Sequence, residues 1–246
     1  MSARYDFTTQ RLYVSDDLNG GVTLEIDRTQ ANYLLNVLHM QDGGHVLLFN
    51  GRDGEWLGEI CHAHRKSCDI RLVKQTRPQP IAYNLTLIFA PLKKGRLDYM
   101  IQKAVEMGAG ILRPVITNHT LNSKMNLDRL KANIVEAAEQ CGILTIPKIC
   151  APIPLETMMD GWDKKIPIVY CDESAQGNDL GDVLRPLRDR DIALLIGPEG
   201  GFSPAERSQL QAKAHVVAIS LGPRILRADT AAVAAMAVLQ AMAGDW

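Results

Sequence analysis

The stretch "LIGPEGGFSPAE", residues 195–206, joins a run of apolar residues to a glycine-rich turn and then to a helix start. Residues 192–197 read "IALLIG" and predict a strand that is buried on both faces. Ser203, Pro204 and Glu206 predict a helix that opens with a capping box. A buried strand, a short turn and a helix in this order are typical of a parallel α/β sheet, which is the fold class that we predict.

The glycines of this turn invite comparison with phosphate-binding loops, but the turn lacks what those loops need. The Gly-Lys-Ser/Thr sequence of a Walker loop is absent, and Gly197, Gly200 and Gly201 lack the GxGxxG spacing of a dinucleotide fingerprint. Glu199 would also repel a phosphate at close range. The turn therefore favours a ligand that needs close backbone approach and carries positive charge, as the sulfonium of S-adenosylmethionine does. A purely geometric role for the glycines is the alternative.

A second Gly-Pro turn follows the next predicted strand, in "ISLGPRILRADTAAVAAMAVLQAMAG", residues 219–244. Arg224 and Arg227 follow the turn, and Asp229 and Thr230 precede an alanine-rich helix. Ligands of open α/β sheets lie beyond the carboxyl ends of the strands, so we expect the two turns to form opposite walls of one pocket. Surface ion pairs for the arginines and a helix cap at Asp229 or Thr230 are the alternatives. The alanines predict close helix packing against the sheet or a second subunit.

The two parts of the chain have different hydrophobic patterns. Residues 11–73 read as short strands broken by turn signals, which predicts a small β-barrel, with a hairpin around Asn50 and Gly51. The prolines of "RPQP", residues 77–80, predict a linker. Strands and helices then alternate, which predicts a mostly parallel sheet covered on both faces. Helices are predicted at 27–40, 95–108, 126–142 and 230–243.

Composition limits where this protein can act. Its 246 residues carry 27 basic and 28 acidic side chains, so binding to nucleic acid must depend on a local patch. Five cysteines without CxxC spacing indicate reduced thiols in the cytoplasm. The start of the chain does not read as a signal peptide, and no apolar run reaches the roughly 18 residues of a membrane span. We therefore expect a cytoplasmic protein without membrane contact.

Two basic clusters are candidates for RNA binding, because lysine and arginine neutralise backbone phosphates. A solvated surface is the alternative for each cluster. The stretch "CHAHRKSC", residues 61–68, also holds metal-ligand side chains, but its spacing fits no common zinc motif and we expect no metal. The candidate RNA-binding residues are Arg65, Lys66, Arg71 and Lys74 in the first cluster and Lys93, Lys94 and Arg96 in the second.

Several segments together resemble a known family. "LIGPEGGFSPAE", "LGPRILRADTA", "EAAEQCG" and "LKKGRLDYMIQKAVEMG" are similar to segments of the small-subunit ribosomal RNA methyltransferases that methylate N3 of a uridine, U1498, in 16S RNA. "NYLLNVLHMQDGGHVLLFNGRDGEW" extends the resemblance to the N-terminal part of the chain. The resemblance implies a PUA-like β-barrel at 1–76 and a SPOUT-class methyltransferase domain at 77–246. It also implies a C-terminal trefoil knot, where chain topology alone predicts an open sheet, and a homodimer that acts on the small ribosomal subunit.

The resemblance assigns the cofactor S-adenosylmethionine, with S-adenosylhomocysteine as product, to loops at 170–175, 196–201 and 221–230. The candidate cofactor-binding residues are Leu195, Ile196, Gly197, Pro198, Glu199, Gly200, Gly201, Leu221, Gly222, Arg224, Ile225, Leu226 and Thr230.

Methylation of N3 requires the loss of a proton, and a nearby cation would stabilise the resulting anion. Arg227 is the candidate for that role, and Asp229 or Glu199 could accept the proton or orient the base. The sequence departs from the family at Ile143 and His39, where arginine is frequent, and at Asp229, where glutamate is usual. Methylation of a ribose hydroxyl by the same class of enzyme, and a non-catalytic RNA-binding role in ribosome assembly, are the competing interpretations.

Overall fold

The computed structural model describes residues 6, 8–82, 84–121, 124–172 and 179–246. Contacts group the chain into two units, Met1–Ile81 with Ala138–Ile146 and Ala82–Ala137 with Pro147–Trp246. The first of these units ends its main segment at Ile81, and the domain boundaries at 1–76 and 77–246 stay a prediction. The contacts also return residues 138–146 to the first unit, which no pattern in the sequence indicated. In the described part of the chain, every helix is too short or too polar to span a bilayer.

The first unit is built on one sheet, which has five strands among the described residues, in the order β1-β3-β4-β5-β2. The strands are β1 (Arg11–Tyr13), β2 (Thr23–Glu25), β3 (His45–Phe49), β4 (Glu55–His64) and β5 (Ser67–Arg77). β3 and β4 pair antiparallel, which confirms the predicted hairpin. The single helix predicted at 27–40 is shorter than expected. Asp27 caps α1 (Arg28–Asn32), and a wider helical turn follows over Tyr33–Val37. His39 has a φ of 54°, a left-handed conformation at which a right-handed helix ends.

A buried ion cluster joins three strands of this unit. Glu55 is 2% exposed, and its carboxylate accepts hydrogen bonds from Arg11 Nε at 2.9 Å and Arg77 Nη2 at 2.7 Å. Thr76 Oγ1 donates a further bond at 2.8 Å. Burial raises the pKa of Glu55, but the hydrogen bonds from Arg77, Arg11 and Thr76 outweigh it and hold the pKa below its usual value. Glu55 therefore stays charged at neutral pH.

The second unit contains a parallel sheet, with seven strands among the described residues. The strands are β6 (Leu85–Phe89), β7 (Ala109–Ile116), β8 (Lys148–Ile149), β9 (Ile153–Pro154), β10 (Ile168–Cys171), β11 (Ile192–Ile196) and β12 (Val216–Ile219). Their order is β12-β10-β11-β6-β7-β8, and β9 pairs with β7. The predicted parallel α/β fold is therefore confirmed, while the trefoil knot stays a prediction.

Helices accompany this sheet. They are α2 (Lys94–Glu106), α3 (Leu127–Cys141), α4 (Leu155–Asp160), α5 (Leu180–Leu184), α6 (Pro204–Gln211) and α7 (Ala228–Ala243). Asn126 caps α3 by accepting from the backbone of Arg129, and Ser203 and Glu206 form the predicted capping box of α6. α7 packs against α2 and buries Ala232 and Ala235, so its small side chains serve close packing within the chain.

Candidate active site

A cavity of about 280 Å³ lies beyond the carboxyl ends of β10, β11 and β12. The two Gly-Pro loops contribute opposite parts of its wall, and Cys171 and Asp172 contribute from the end of β10. Of the third predicted loop, residues 173–175 lie outside the described residues. The candidate cofactor-binding residues that line the cavity are Ile196, Gly197, Pro198, Glu199, Gly201, Leu221, Gly222, Arg224, Ile225 and Leu226.

Three other candidates do not line this cavity. Leu195, on β11, is fully buried in the core. Gly200 lies against His119, and Thr230 is exposed on the first turn of α7. The lining is mixed, with apolar side chains beside backbone groups and charged residues. Such a site suits a small ligand that has both apolar and polar surfaces.

Two glycines of the first loop have different physical functions. Gly201 has a φ of +68°, a left-handed conformation that favours glycine. At Gly197 the space is limiting, because an added Cβ would lie 2.9 Å from the ring of Phe202. That ring packs edge-on against Tyr170, with 6.1 Å between centroids. A side chain at position 197 would therefore displace the Phe202 ring or the loop backbone.

A neighbouring turn after β7 braces the same loop. Asn118 N donates to Glu206 Oε1 at 2.8 Å, and Asn118 Nδ2 donates to Ser203 Oγ at 2.9 Å. His119 Nδ1 lies 3.1 Å from the carbonyl oxygens of both Gly200 and Gly201, so this nitrogen is the donor. None of the motifs quoted above includes this turn. The polar run "TNHT" directly after a predicted strand could have suggested it, because it ends at the same edge of the sheet.

The charge of Glu199 is compensated inside the cavity. Arg96, on the first turns of α2, forms an ion pair with the Glu199 carboxylate, and both residues line the cavity. From the sequence, Glu199 was expected to be an uncompensated acid, and Arg96 was predicted to bind RNA. The ion pair weakens, without removing, the expected repulsion of a phosphate by Glu199.

Arg227 and Asp229 form a second pair at the start of α7. Arg227 Nη2 lies 2.9 Å from Asp229 Oδ2, and the Arg227 side chain is 62% exposed while that of Asp229 is 6% exposed. Arg227 lines the cavity and Asp229 does not. Among the described residues, Asp229 Oδ1 is buried and has no hydrogen-bond partner. Asp229 is therefore placed to hold Arg227, and the positive end of the α7 dipole favours its charge.

Asp172 is an acidic residue of the cavity that lies within the predicted loop at 170–175 but is not among the candidate residues. Its carboxylate accepts hydrogen bonds from Tyr170 Oη at 2.9 Å and Arg207 Nη1 at 2.8 Å. The neighbouring Cys171 is a poor nucleophile, because burial raises the pKa of its thiol to about 12. An acid directly after a buried strand was the available signal for Asp172.

The predicted RNA-binding residues are exposed except for Arg96. Arg65 and Lys66 lie in the turn between β4 and β5, and Arg71 and Lys74 lie on β5. Arg71 forms an ion pair with Glu59 on the adjacent strand at 2.8 Å, an opposing charge that the linear sequence did not indicate. Lys93 and Lys94 are exposed at the start of α2.

Comparison with known proteins defines the class. A family model described as an RNA methyltransferase domain matches residues 78–240, and one described as an RNA methyltransferase PUA domain matches residues 26–73. The fold is thus that of an RNA methyltransferase with an N-terminal PUA domain. The chain is 31% identical over 229 residues to ribosomal RNA small subunit methyltransferase E of Rickettsia conorii, covering 92% of this chain and 93% of that protein. The chain belongs to the ribosomal RNA small subunit methyltransferase E family.

Solved structures agree with this assignment. The crystal structure of ribosomal RNA small subunit methyltransferase E from Neisseria gonorrhoeae, bound to S-adenosyl methionine, has a TM-score of 0.88 and 26% identity, covering 97% of this chain and 99% of that one. A methyltransferase from Legionella pneumophila in complex with the same cofactor has a TM-score of 0.84 and 29% identity, covering 95% and 97%.

Proposed function

We propose that this protein transfers the methyl group of S-adenosylmethionine to ring nitrogen N3 of uridine U1498 in 16S ribosomal RNA of the small ribosomal subunit. The observation that carries the proposal is the single cavity lined by both Gly-Pro loops, in a chain whose Neisseria relative holds S-adenosylmethionine. The PUA-like unit and its exposed cations support RNA as the substrate. The resemblance further supports a homodimer that acts in the cytoplasm.

The lining fits a positively charged nucleoside. Backbone groups at Gly197, Gly201 and Leu221 can bond an adenosine, and the apolar sides of Ile196 and Leu226 can contact its ring. The carboxylates of Asp172 and Glu199 supply negative charge near a sulfonium. When bound, S-adenosylmethionine supplies an electrophilic methyl carbon.

We assign the proton and charge steps to residues of the two loops. Glu199 accepts the N3 proton, and Arg227 stabilises the negative charge that spreads to the flanking carbonyl oxygens of the uracil ring. N3 then forms a bond to the methyl carbon, and the electron pair of the broken C–S bond remains on sulfur, which gives S-adenosylhomocysteine. Asp229 orients Arg227 rather than contacting the base, because it does not line the cavity.

Glu199→Gln is expected to weaken binding of S-adenosylmethionine about three- to tenfold and binding of S-adenosylhomocysteine less than twofold. The carboxylate attracts the sulfonium but not the neutral thioether, and pairing with Arg96 and partial exposure keep the effect modest. Calorimetry with both compounds measures the difference. Glu156→Gln, an exposed change on α4 outside the cavity, is the matched control. Equal losses for the two compounds would remove the electrostatic role of Glu199.

Gly197→Ala is expected to weaken S-adenosylmethionine binding about tenfold, because the new methyl group displaces the Phe202 ring or the loop at a cost of about 1–3 kcal/mol. Gly95→Ala is the control, since an added Cβ there meets nothing within 4 Å. Affinity is measured by calorimetry and folding by circular dichroism. A Gly197→Ala protein with wild-type affinity would show that the loop tolerates a side chain at this position.

The test of the function itself uses the full-length protein, small subunits from a strain lacking the enzyme, and cofactor with a labelled methyl group. Mass spectrometry of the RNA is expected to locate one new methyl group on N3 of U1498. A methyl group on a ribose hydroxyl would favour the rival enzyme class. A protein that binds the RNA, but neither methylates it nor binds the cofactor, would favour the non-catalytic role in ribosome assembly.

A further inference from the structure

A second cavity, of about 560 Å³, lies at the opposite end of the same three strands. Pro167 and His215 line it and stand directly before β10 and β12, and Arg190 lines it two residues before β11. These strands are four or five residues long, so their amino and carboxyl ends are about 15 Å apart. The second cavity is therefore separate from the candidate active site.

Four cations surround this cavity, and its lining within the described chain includes no carboxylate. Across the described ranges, none of the four forms a salt bridge, although other exposed cations such as Arg52 and Arg71 do. Concentrated like charges repel one another, and an anion would relieve that repulsion. The four cations are Lys164, Lys165, Arg190 and Lys213.

The position of one guanidinium is defined by the backbone. Arg190 Nη2 donates to the carbonyl oxygen of Lys165 at 3.1 Å, which ties two of the cation-bearing segments together. Asp163 accepts a hydrogen bond from the backbone of Lys165, but it does not line the cavity. The acids Asp189 and Asp191 also stand outside the lining. The cavity is therefore basic although acids are close in sequence.

His215 adds a polar atom that lacks a partner. Its Nε2 is buried and has no hydrogen-bond partner among the described residues. Burial, and then the charges of Lys164 and Lys213, lower the pKa of His215, so the ring is neutral at pH 7. A neutral imidazole can carry its hydrogen on Nε2 and donate it to an acceptor oxygen. A buried donor without an acceptor is costly, and a shift of the ring toward the cavity that it lines would let an anionic oxygen satisfy Nε2.

We propose that this basic cavity binds a backbone phosphate of the RNA substrate, so that RNA contacts the catalytic unit at both ends of β10–β12. The cations neutralise the charge of the phosphate. The apolar side chains of Pro167, Leu187 and Val217 can contact the adjoining sugar. This open and partly apolar site suits a nucleotide within a chain better than a small free anion. The inference rests on the proposed function, because it takes RNA as the substrate.

The test compares full-length wild type with a Lys165→Ala/Lys213→Ala double variant. We expect RNA affinity to fall about tenfold at low salt, and the slope of log affinity against log salt to decrease by about 1, because the contact with one phosphate is lost. Fluorescence anisotropy with a labelled 16S RNA fragment measures both quantities. Lys131→Ala/Lys148→Ala removes the same charge from exposed positions outside the cavity and should change neither.

Two further measurements separate the outcomes. Thermal unfolding and calorimetry with S-adenosylmethionine should be unchanged in the double variant, which shows that fold and cofactor binding are intact. RNA affinity equal to that of the control variant would overturn the proposal. Binding of inorganic phosphate at the cavity combined with unchanged RNA affinity would also overturn it, in favour of free phosphate as the ligand. Failure of methyl transfer by the wild type would instead contradict the proposed function.

Discussion

Arg227→Ala is expected to lower the rate of methyl transfer about 100- to 1,000-fold, while the affinity for S-adenosylmethionine changes less than threefold. This loss of rate is the usual effect of removing one preorganised hydrogen-bond donor that stabilises a negative charge in the transition state. Arg227 lines the cavity and is held by Asp229 at 2.9 Å, so its guanidinium is in place before the charge develops. Its side chain is 62% exposed, but its removal takes the ion-pair partner from the buried Asp229, so thermal unfolding of the variant is measured alongside its activity.

Single-turnover kinetics with saturating cofactor measures this step without product release. Arg227→Lys should be faster than Arg227→Ala but slower than wild type, because lysine keeps the positive charge but lacks the planar set of guanidinium N–H donors. Arg28→Ala, an exposed substitution in the first unit, is the matched control. An Arg227→Ala protein that binds cofactor normally and methylates at the wild-type rate would exclude Arg227 from the chemistry.

Glu55→Ala is expected to lower the free energy of unfolding by about 3–5 kcal/mol, the usual cost of removing one partner from a buried ion pair. Arg11 is 4% exposed, and the substitution takes away the carboxylate that compensates its charge. Glu59→Ala is a close control, because Glu59 lies on the same strand but pairs with the exposed Arg71, and its loss should cost about 0–1 kcal/mol. Urea unfolding of both variants measures the contrast.

The stabilisation by Glu55 should also depend on pH. The folded-state pKa lies below the ordinary value of 4.5, so the contribution is complete above that pH and is lost as pH falls through the folded-state pKa. The difference in unfolding free energy between wild type and Glu55→Ala should therefore be constant near pH 7 and shrink in acid. A difference that is the same at pH 7 and at pH 3 would show that charge is not the cause.

The sequence determined those features that depend on neighbours within a few residues. The capping box of Ser203 and Glu206 and the cap at Asn126 were predictable, because each hydrogen bond spans three residues. The buried strands were predictable from continuous apolar runs. The start of α7 was missed by two residues, because Ala228 and Asp229 were assigned to the preceding loop. Helix ends are defined by backbone angles that side-chain patterns specify weakly.

Only the tertiary structure decided which charged residues join the two loops at the site. Arg96 and Glu199 are 103 positions apart, and they meet because α2 and the turn after β11 reach the same edge of the sheet. His119 contacts the first Gly-Pro loop for the same reason. At the opposite end of the strands, four cations from three segments surround one cavity. Strand order places these segments together, and periodicity and capping carry no information about strand order. The sequence by itself thus determined the helices, the strands and the two Gly-Pro loops. Long-range packing of the sheet determined which charged side chains lie beside those loops.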